Sequence, residues 1–209
     1  SRQTAADVVL TVEVDMGEAA KLREQGSAEW EKAHGLKMTY TDIIAKAVAR
    51  ALVEHPRMNT ALVDGQIREY RAVHLGIAVA LDDGLIVPVI RNAHEKSLLE
   101  IARAVRDLAD RARRNALGRD EVTGSTFTIS NMGMLGIEIF TPVINPPECA
   151  ILGVGQIADR AVVRHGSVVV QPTMWLSLSF DHRITDGAPA ARFLGRVKQL
   201  LESPYLLFV

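Results

Sequence analysis

Ser179-Phe180-Asp181-His182-Arg183-Ile184-Thr185-Asp186-Gly187 is a short link between two patterned segments. Upstream, Met174-Trp175-Leu176-Ser177-Leu178-Ser179-Phe180 alternates in the period of a strand with one buried face. Downstream, Pro189 suits the first turn of a helix, and Phe193, Leu194, Val197, Leu200 and Leu201 recur at helical spacing. His182 therefore sits at the end of a strand, fixed by elements on both sides. An imidazole held this way is suited to taking a proton from a weak acid near neutral pH. Asp186, four residues on, can bind Arg183, cap the helix or orient a neighbouring group.

The chain has 209 residues, 48% of them hydrophobic, with formal net charge −1. This describes one domain, 1–209, with ample apolar material for a core. The near-neutral balance argues against nucleic-acid binding, which calls for a basic excess. Cys149 is the only cysteine, which excludes an intrachain disulfide and fits a reducing compartment. No apolar run approaches the roughly 20 residues of a membrane span. The N-terminal residues read as strand rather than as a signal segment, and so abrupt a start suggests an excised domain.

Val8 to Val14 reads as a strand and Met16 to about His34 as a helix weakened by Gly26. Thr41 is the expected N-cap of a helix carrying Ile43, Ile44, Ala47, Val48, Ala51 and Leu52, which His55-Pro56 ends. Asn59–Val63 and Gln66–Tyr70 flank Asp64-Gly65, a hairpin signal. Val73–Leu81 and Leu85–Ile90 read as two buried strands joined by a turn, with Pro88 implying an edge or bulge. Ser97-Leu98-Leu99-Glu100 is a capping box, and Gly118 is the expected stop of the helix it opens. Arg111, Arg113, Arg114 and Arg119 read as a solvated face near that helix end. Thr126–Ser130 alternates as a strand leading into a glycine-containing loop.

Two further patterns are set aside. Gly153-Val154-Gly155-Gln156-Ile157-Ala158 formally fits a dinucleotide fingerprint, but a hairpin pattern around His165-Gly166 follows where a helix is needed. A Cys149–His182 thiol dyad is disfavoured against a small core cysteine. The remaining histidines show no metal-ligand spacing, so no metal is expected.

Three blocks, Val79–Ile90, Ser125–Gly133 and Ser179–Gly187, resemble the acyltransferase (E2) components of 2-oxo acid dehydrogenase complexes. Their wider superfamily, which includes chloramphenicol acetyltransferase, shares the pattern His-x-x-x-Asp-Gly. The resemblance implies an α/β two-layer sandwich with a mixed β-sheet. It also implies transfer of an acyl group from a dihydrolipoyl thioester to coenzyme A, with His182 as base. Ser130 would donate to the tetrahedral oxyanion, and Asp186 would support the geometry. By the same match Arg23, Thr39, Asp82, Asn131 and Gly155 lie near coenzyme A; for Asp82 an ordinary turn aspartate is an equal reading.

The family is trimeric, with the histidine and serine facing each other across a subunit boundary and the trimers building cubic or dodecahedral cores. Its partners are a lipoyl domain and the E1 and E3 components, and its lipoyl and peripheral-subunit-binding domains have no counterpart in 1–209. The apolar Pro204–Val209 is expected to insert into a neighbouring subunit. The compartment implied is the cytoplasm, or the mitochondrial matrix in a eukaryote. Acetyl or branched-chain acyl groups are slightly favoured by Asp181–Phe193. Two rivals stay open: a non-catalytic scaffold, and a stand-alone acyltransferase acting on a small molecule.

Overall fold

In the computed structural model, which describes residues 6–81 and 84–208, one long strand organises the molecule. In chain order the strands are β1 (Asp7–Asp15), β2 (Thr60–Val63), β3 (Gln66–Glu69), β4 (Leu75–Ile77), β5 (Val79–Leu81) and β6 (Gly84–Ile86). They continue with β7 (Val89–Ile90), β8 (Phe127–Asn131), β9 (Ala150–Val154), β10 (Ala158–Arg164) and β11 (Ser167–Asp181). The helices are α1 (Gly17–His34), α2 (Tyr40–Glu54), α3 (Leu98–Arg113) and α4 (Gly187–Glu202).

β11 pairs with β1 along one edge and with β10 and then β9 along the other, all antiparallel. β8 lies parallel between β9 and β4, and β7 closes the sheet antiparallel to β4. The sheet is mixed, as expected.

Alternation on β11 puts Met174, Leu176, Leu178 and Phe180 into the core, beside Val14 of β1, Leu52 of α2 and Phe193, Leu194 and Val197 of α4. Phe193 meets Phe127 of β8 edge to face at 5.4 Å, tying α4 to the middle of the sheet. On the opposite face Ser177, Ser179 and Asp181 alternate with these, and all three are buried. There the loop before β9 covers the sheet, bringing Phe140 and Pro142 against Gly153.

Both hairpins turn at the expected dipeptides, with Asp64 and Gly65, and His165 and Gly166, all at positive φ. Ser97 caps α3, and Glu100 reaches back to its backbone N–H. Arg111 is held by Asp107 and Glu121, and Arg113 by Asp110, so two of the four arginines in this cluster are ion-paired.

Two expectations are corrected. The N-cap of α2 is Thr39, not Thr41: its hydroxyl accepts from Asp42 N at 3.3 Å, and Asp42 Oδ2 accepts from Thr39 N at 2.7 Å. α3 stops at Arg113, before Gly118, because Asn115 takes the left-handed conformation (φ 53°). The Val73–Ile90 block is the expected pair of strands: β4 pairs with β7 and β5 with β6, antiparallel and in one continuous register. β4 and β7 join the main sheet, whereas β5 and β6 pair only with each other. Pro88 precedes the edge strand β7, and its carbonyl accepts from Ile77 N. At the C-terminus Leu207 is buried in this chain's own core, while Tyr205 and Phe208 point outward.

Candidate active site

Four of the coenzyme A candidates meet in one cleft of about 320 Å³ between the start of α2 and the ends of β8 and β9. Arg23 comes from α1, Thr39 from the cap of α2, Asn131 from the end of β8 and Gly155 from just beyond β9. Arg23 lies over the Tyr40 ring, 4.7 Å from its centroid, which fixes a cation at this position. Asn131 braces the cleft: Nδ2 donates to Thr41 Oγ1 at 3.2 Å, and Oδ1 accepts from Gly133 N at 2.9 Å. Asp82 lies outside the described residues.

Gly155 is required by crowding. A Cβ there would stand 1.9 Å from the Glu138 carbonyl oxygen, and one at Gly133 would stand 2.6 Å from the Gly155 carbonyl. Three backbone segments thus close on one another at the cleft, which only glycine permits. Sequence reading missed Tyr40, Gln156 and Ile157 as lining residues and cast Thr41 only as a cap. An aromatic beside a helix start gives no local signal that an arginine from another helix will stack on it.

Ser130 opens onto a neighbouring cleft of about 590 Å³, walled by Ala78, Leu85, Val87, Phe140, Ile144 and Ile151, with Thr128 and Asn145 also lining it. Met132, the second residue after Ser130, lines this cleft, while Asn131 and Gly133 line the other. The two clefts therefore lie on either side of the end of β8.

His182 and Asp186 are elsewhere. The link after β11 is tightly made: His182 N donates to Ala6 O at 2.9 Å, and Ile184 N and Thr185 N both donate to the Asp181 carbonyl. The Asp181 side chain, 5% exposed, accepts from Arg183 N and from the Arg183 guanidinium at 2.6–3.1 Å. Burial works against its charge, yet the Arg183 bonds hold this carboxyl below its ordinary value. Arg183 is therefore bound by Asp181 and not by Asp186. Asp186 is the N-cap residue of α4, but its side chain makes no capping bond. Its Oδ1 stands 3.9 Å from His182 Nδ1, close enough for an ion pair with a protonated ring but too long for a hydrogen bond. The His182 side chain is 48% exposed.

Within one chain His182 and Ser130 do not meet. Register aligns Ser130 with Gly153 and Gly153 with Ser177. His182 is five residues beyond Ser177 and two strands over, roughly 17 Å along the sheet and 10 Å across it. Burial pushes the Cys149 thiol up to about 11, the reverse of an activated nucleophile, which removes the dyad.

By architecture the chain has the chloramphenicol acetyltransferase type of fold. It superposes on that enzyme with TM-score 0.62 at 18% identity, over 94% of this chain and 89% of the other, a likeness of fold. More narrowly, residues 1–209 match the family described as 2-oxoacid dehydrogenases acyltransferase (catalytic domain), and the chain belongs to it. It is 42% identical to the dihydrolipoyllysine-residue acetyltransferase component of the acetoin cleaving system of Bacillus subtilis, over 100% of this chain and 52% of that one. It is 40% identical to the succinyltransferase component of the 2-oxoglutarate dehydrogenase complex of Rickettsia typhi, with 100% and 52% covered. The chain spans about half the length of these curated relatives.

Two solved structures each give TM-score 0.95 at 38% identity, over 100% of this chain and 86% of theirs. One addresses a serine, a histidine and an asparagine in the catalytic mechanism of Azotobacter vinelandii dihydrolipoamide acetyltransferase. The other is the cubic core of the pyruvate dehydrogenase multienzyme complex.

Proposed function

We propose that the protein transfers an acyl group between a dihydrolipoyl thioester and coenzyme A, at a site shared by two protomers. The reading rests on one convergence: Arg23, Thr39, Asn131 and Gly155, from four separate segments, line a single cleft at the end of the strand that carries Ser130. His182 takes the proton of the attacking coenzyme A thiol. An imidazole is only about two units weaker as a base than a thiolate, so proton loss can keep pace with attack on the thioester carbonyl. Ser130 donates to the oxygen that gains charge, a contribution of about 3 kcal/mol. As the intermediate collapses, His182 returns the proton to the departing dihydrolipoyl sulfur. Asp186 keeps the ring oriented, and Asp82 belongs to the coenzyme A side of the site.

The serine and histidine studied in the Azotobacter enzyme are separated by the same number of residues as Ser130 and His182. The third residue follows the histidine by four in both chains, asparagine there and Asp186 here. Since one chain holds its own histidine and serine far apart, the partner's Ser130 cleft must face His182 in a homotrimer. Exposed apolar side chains beside that cleft, Leu85, Leu135 and Val143, suit such a seam. Trimers build a larger core, cubic or dodecahedral. The acyl-carrying lipoyl domain and the E1 and E3 components are its partners, and acetyl or branched-chain acyl groups are favoured.

The test is acyl exchange between acetyl-CoA and dihydrolipoamide with His182→Ala. Turnover should fall about 10²-fold or more with coenzyme A affinity near normal. Activity within a few-fold of the unaltered protein would remove His182 as base.

A further inference from the structure

Beside the Ser130 cleft lies a carboxylate that thioester exchange does not call for. Glu148 is 3% exposed. It accepts from Asn145 Nδ2 at 3.0 Å, from Thr128 Oγ1 at 2.7 and 2.9 Å, and from Ser125 Oγ. No ammonium or guanidinium is among these partners. Thr128 and Asn145 line the Ser130 cleft, and Glu148 lines a second cavity of about 470 Å³ behind them. Glu148 is therefore part of the partition between two cavities, one hydroxyl or amide away from the space beside Ser130.

We infer that Glu148 sets acyl specificity, admitting an uncharged aliphatic acyl chain beside Ser130 and rejecting one that ends in a carboxylate. The inference rests on the acyl-transfer reading of this site. Among the described residues of one chain that line the cleft there is no Lys, Arg or His, so the chain that holds Ser130 offers a terminal carboxylate no counter-charge there. Such a carboxylate would instead face Glu148 across Thr128 or Asn145. Like charges about 6–8 Å apart in partly buried surroundings disfavour such a substrate by on the order of tenfold to a hundredfold. Sequence similarity does not decide this point, since acetyl and succinyl relatives match at 42% and 40%.

The effect is pH-dependent. Burial pushes the Glu148 carboxyl up to about 7, although its three donors act in the other direction. Tyr70 and His74 line the second cavity with Glu148, Cys149 is next in the chain, and Arg91 acts on His74. Arg91 is committed to the carbonyls of Asp120, Thr123 and Gly124. Burial, and next Arg91, lowers the His74 pKa, and the Cys149 thiol is pushed up to about 11, so neither is charged near pH 8. Glu148 is thus largely anionic near pH 8 and largely neutral near pH 6.

The experiment measures initial rates with acetyl-CoA and succinyl-CoA, using dihydrolipoamide as acceptor. The acyl carbon leaves the coenzyme A sulfur for a dihydrolipoamide sulfur, and the acceptor's thiol proton ends on coenzyme A. His182 serves both donors, so its contribution cancels in the ratio of rates. The succinyl-to-acetyl ratio should be low at pH 8 and rise about tenfold by pH 6. In Glu148→Gln it should be raised at pH 8 and flat with pH.

A succinyl preference at pH 8, a ratio independent of pH in the unaltered protein, or the same pH dependence in Glu148→Gln would overturn the inference. If the variant does not fold, the pH series on the unaltered protein decides. If neither acyl-CoA turns over, the acyl-transfer reading itself fails, and this inference with it.

Discussion

Replacing Gly155 with alanine places a methyl carbon where the backbone leaves no room. The new atom would lie 1.9 Å from Glu138 O, 2.8 Å from Glu138 C and 3.1 Å from Trp175 O. All three are main-chain atoms, so no rotamer change relieves the overlap. The segment carrying Glu138 must retreat by more than about 1 Å to restore ordinary contact. That movement pulls on the bond from Gln156 N to Ile137 O, 2.7 Å long, and on the Gly155 N to Trp175 O bond beside it.

Overpacking of this kind costs typically 1–3 kcal/mol, and rigid neighbours put this site at about 3. For a chain of this size that lowers Tm by roughly 6–12 °C. The displaced segment borders the Arg23–Asn131 cleft, so KM for coenzyme A should rise about tenfold. Gly26→Ala is the matched control. Gly26 sits inside α1 with nothing within 4 Å of its missing Cβ, so alanine there should stabilise by about 0.5–1 kcal/mol. Thermal melts and steady-state kinetics on both variants provide the readout. A Gly155→Ala protein with unchanged Tm and unchanged KM for coenzyme A would refute the crowding argument and the place of Gly155 in that cleft.

Further outcomes follow from the same geometry. Ser130→Ala should lower kcat by about 10²-fold with little change in KM; a pure KM effect would mean that the serine only binds substrate. Asp181→Asn loosens the link that presents His182 and should lower kcat roughly tenfold while leaving KM for coenzyme A alone. The Asp181 carboxyl is lowered in the folded state, so its contribution to stability is complete above the ordinary carboxylate range and drains as pH falls through the folded value. Melts of Asp181→Asn should therefore approach those of the unaltered protein only at the acid end. Serine at both Tyr205 and Phe208 should leave trimers intact but stop larger particles forming, as read by light scattering. Large particles of unchanged size would exclude these two side chains from that contact.

What the sequence made legible is what local patterning controls. The Asp64-Gly65 and His165-Gly166 turns, the Ser97–Glu100 box and the alternation of β11 each depend on residues a few positions apart. The α2 cap was misplaced because two threonines stand two apart and the deciding partner, Asp42, is a less familiar residue at that position than Glu or Gln. The Val73–Ile90 block gave no hint that β4 would also pair with β8 on its other edge, since that pairing is made with residues far along the chain.

Resemblance supplied the site residues that no local pattern could join. Arg23 and Gly155 come from opposite ends of the chain and meet only through the fold. Glu148 escaped because its three partners come from a loop and from β8. A glutamate beside a cysteine at the start of an apolar strand carries no sign that it will be buried with only neutral donors around it.

The central claim, one site made from two chains, is tested most directly by mixing. His182→Ala and Ser130→Ala chains, each nearly inactive alone, are denatured together in equal amounts, refolded and assayed. Random assembly places an intact His182 opposite an intact Ser130 in about one site in four, so activity should return to roughly a quarter of the unaltered level. Mixed assemblies no more active than the average of the two variants would contradict a shared site.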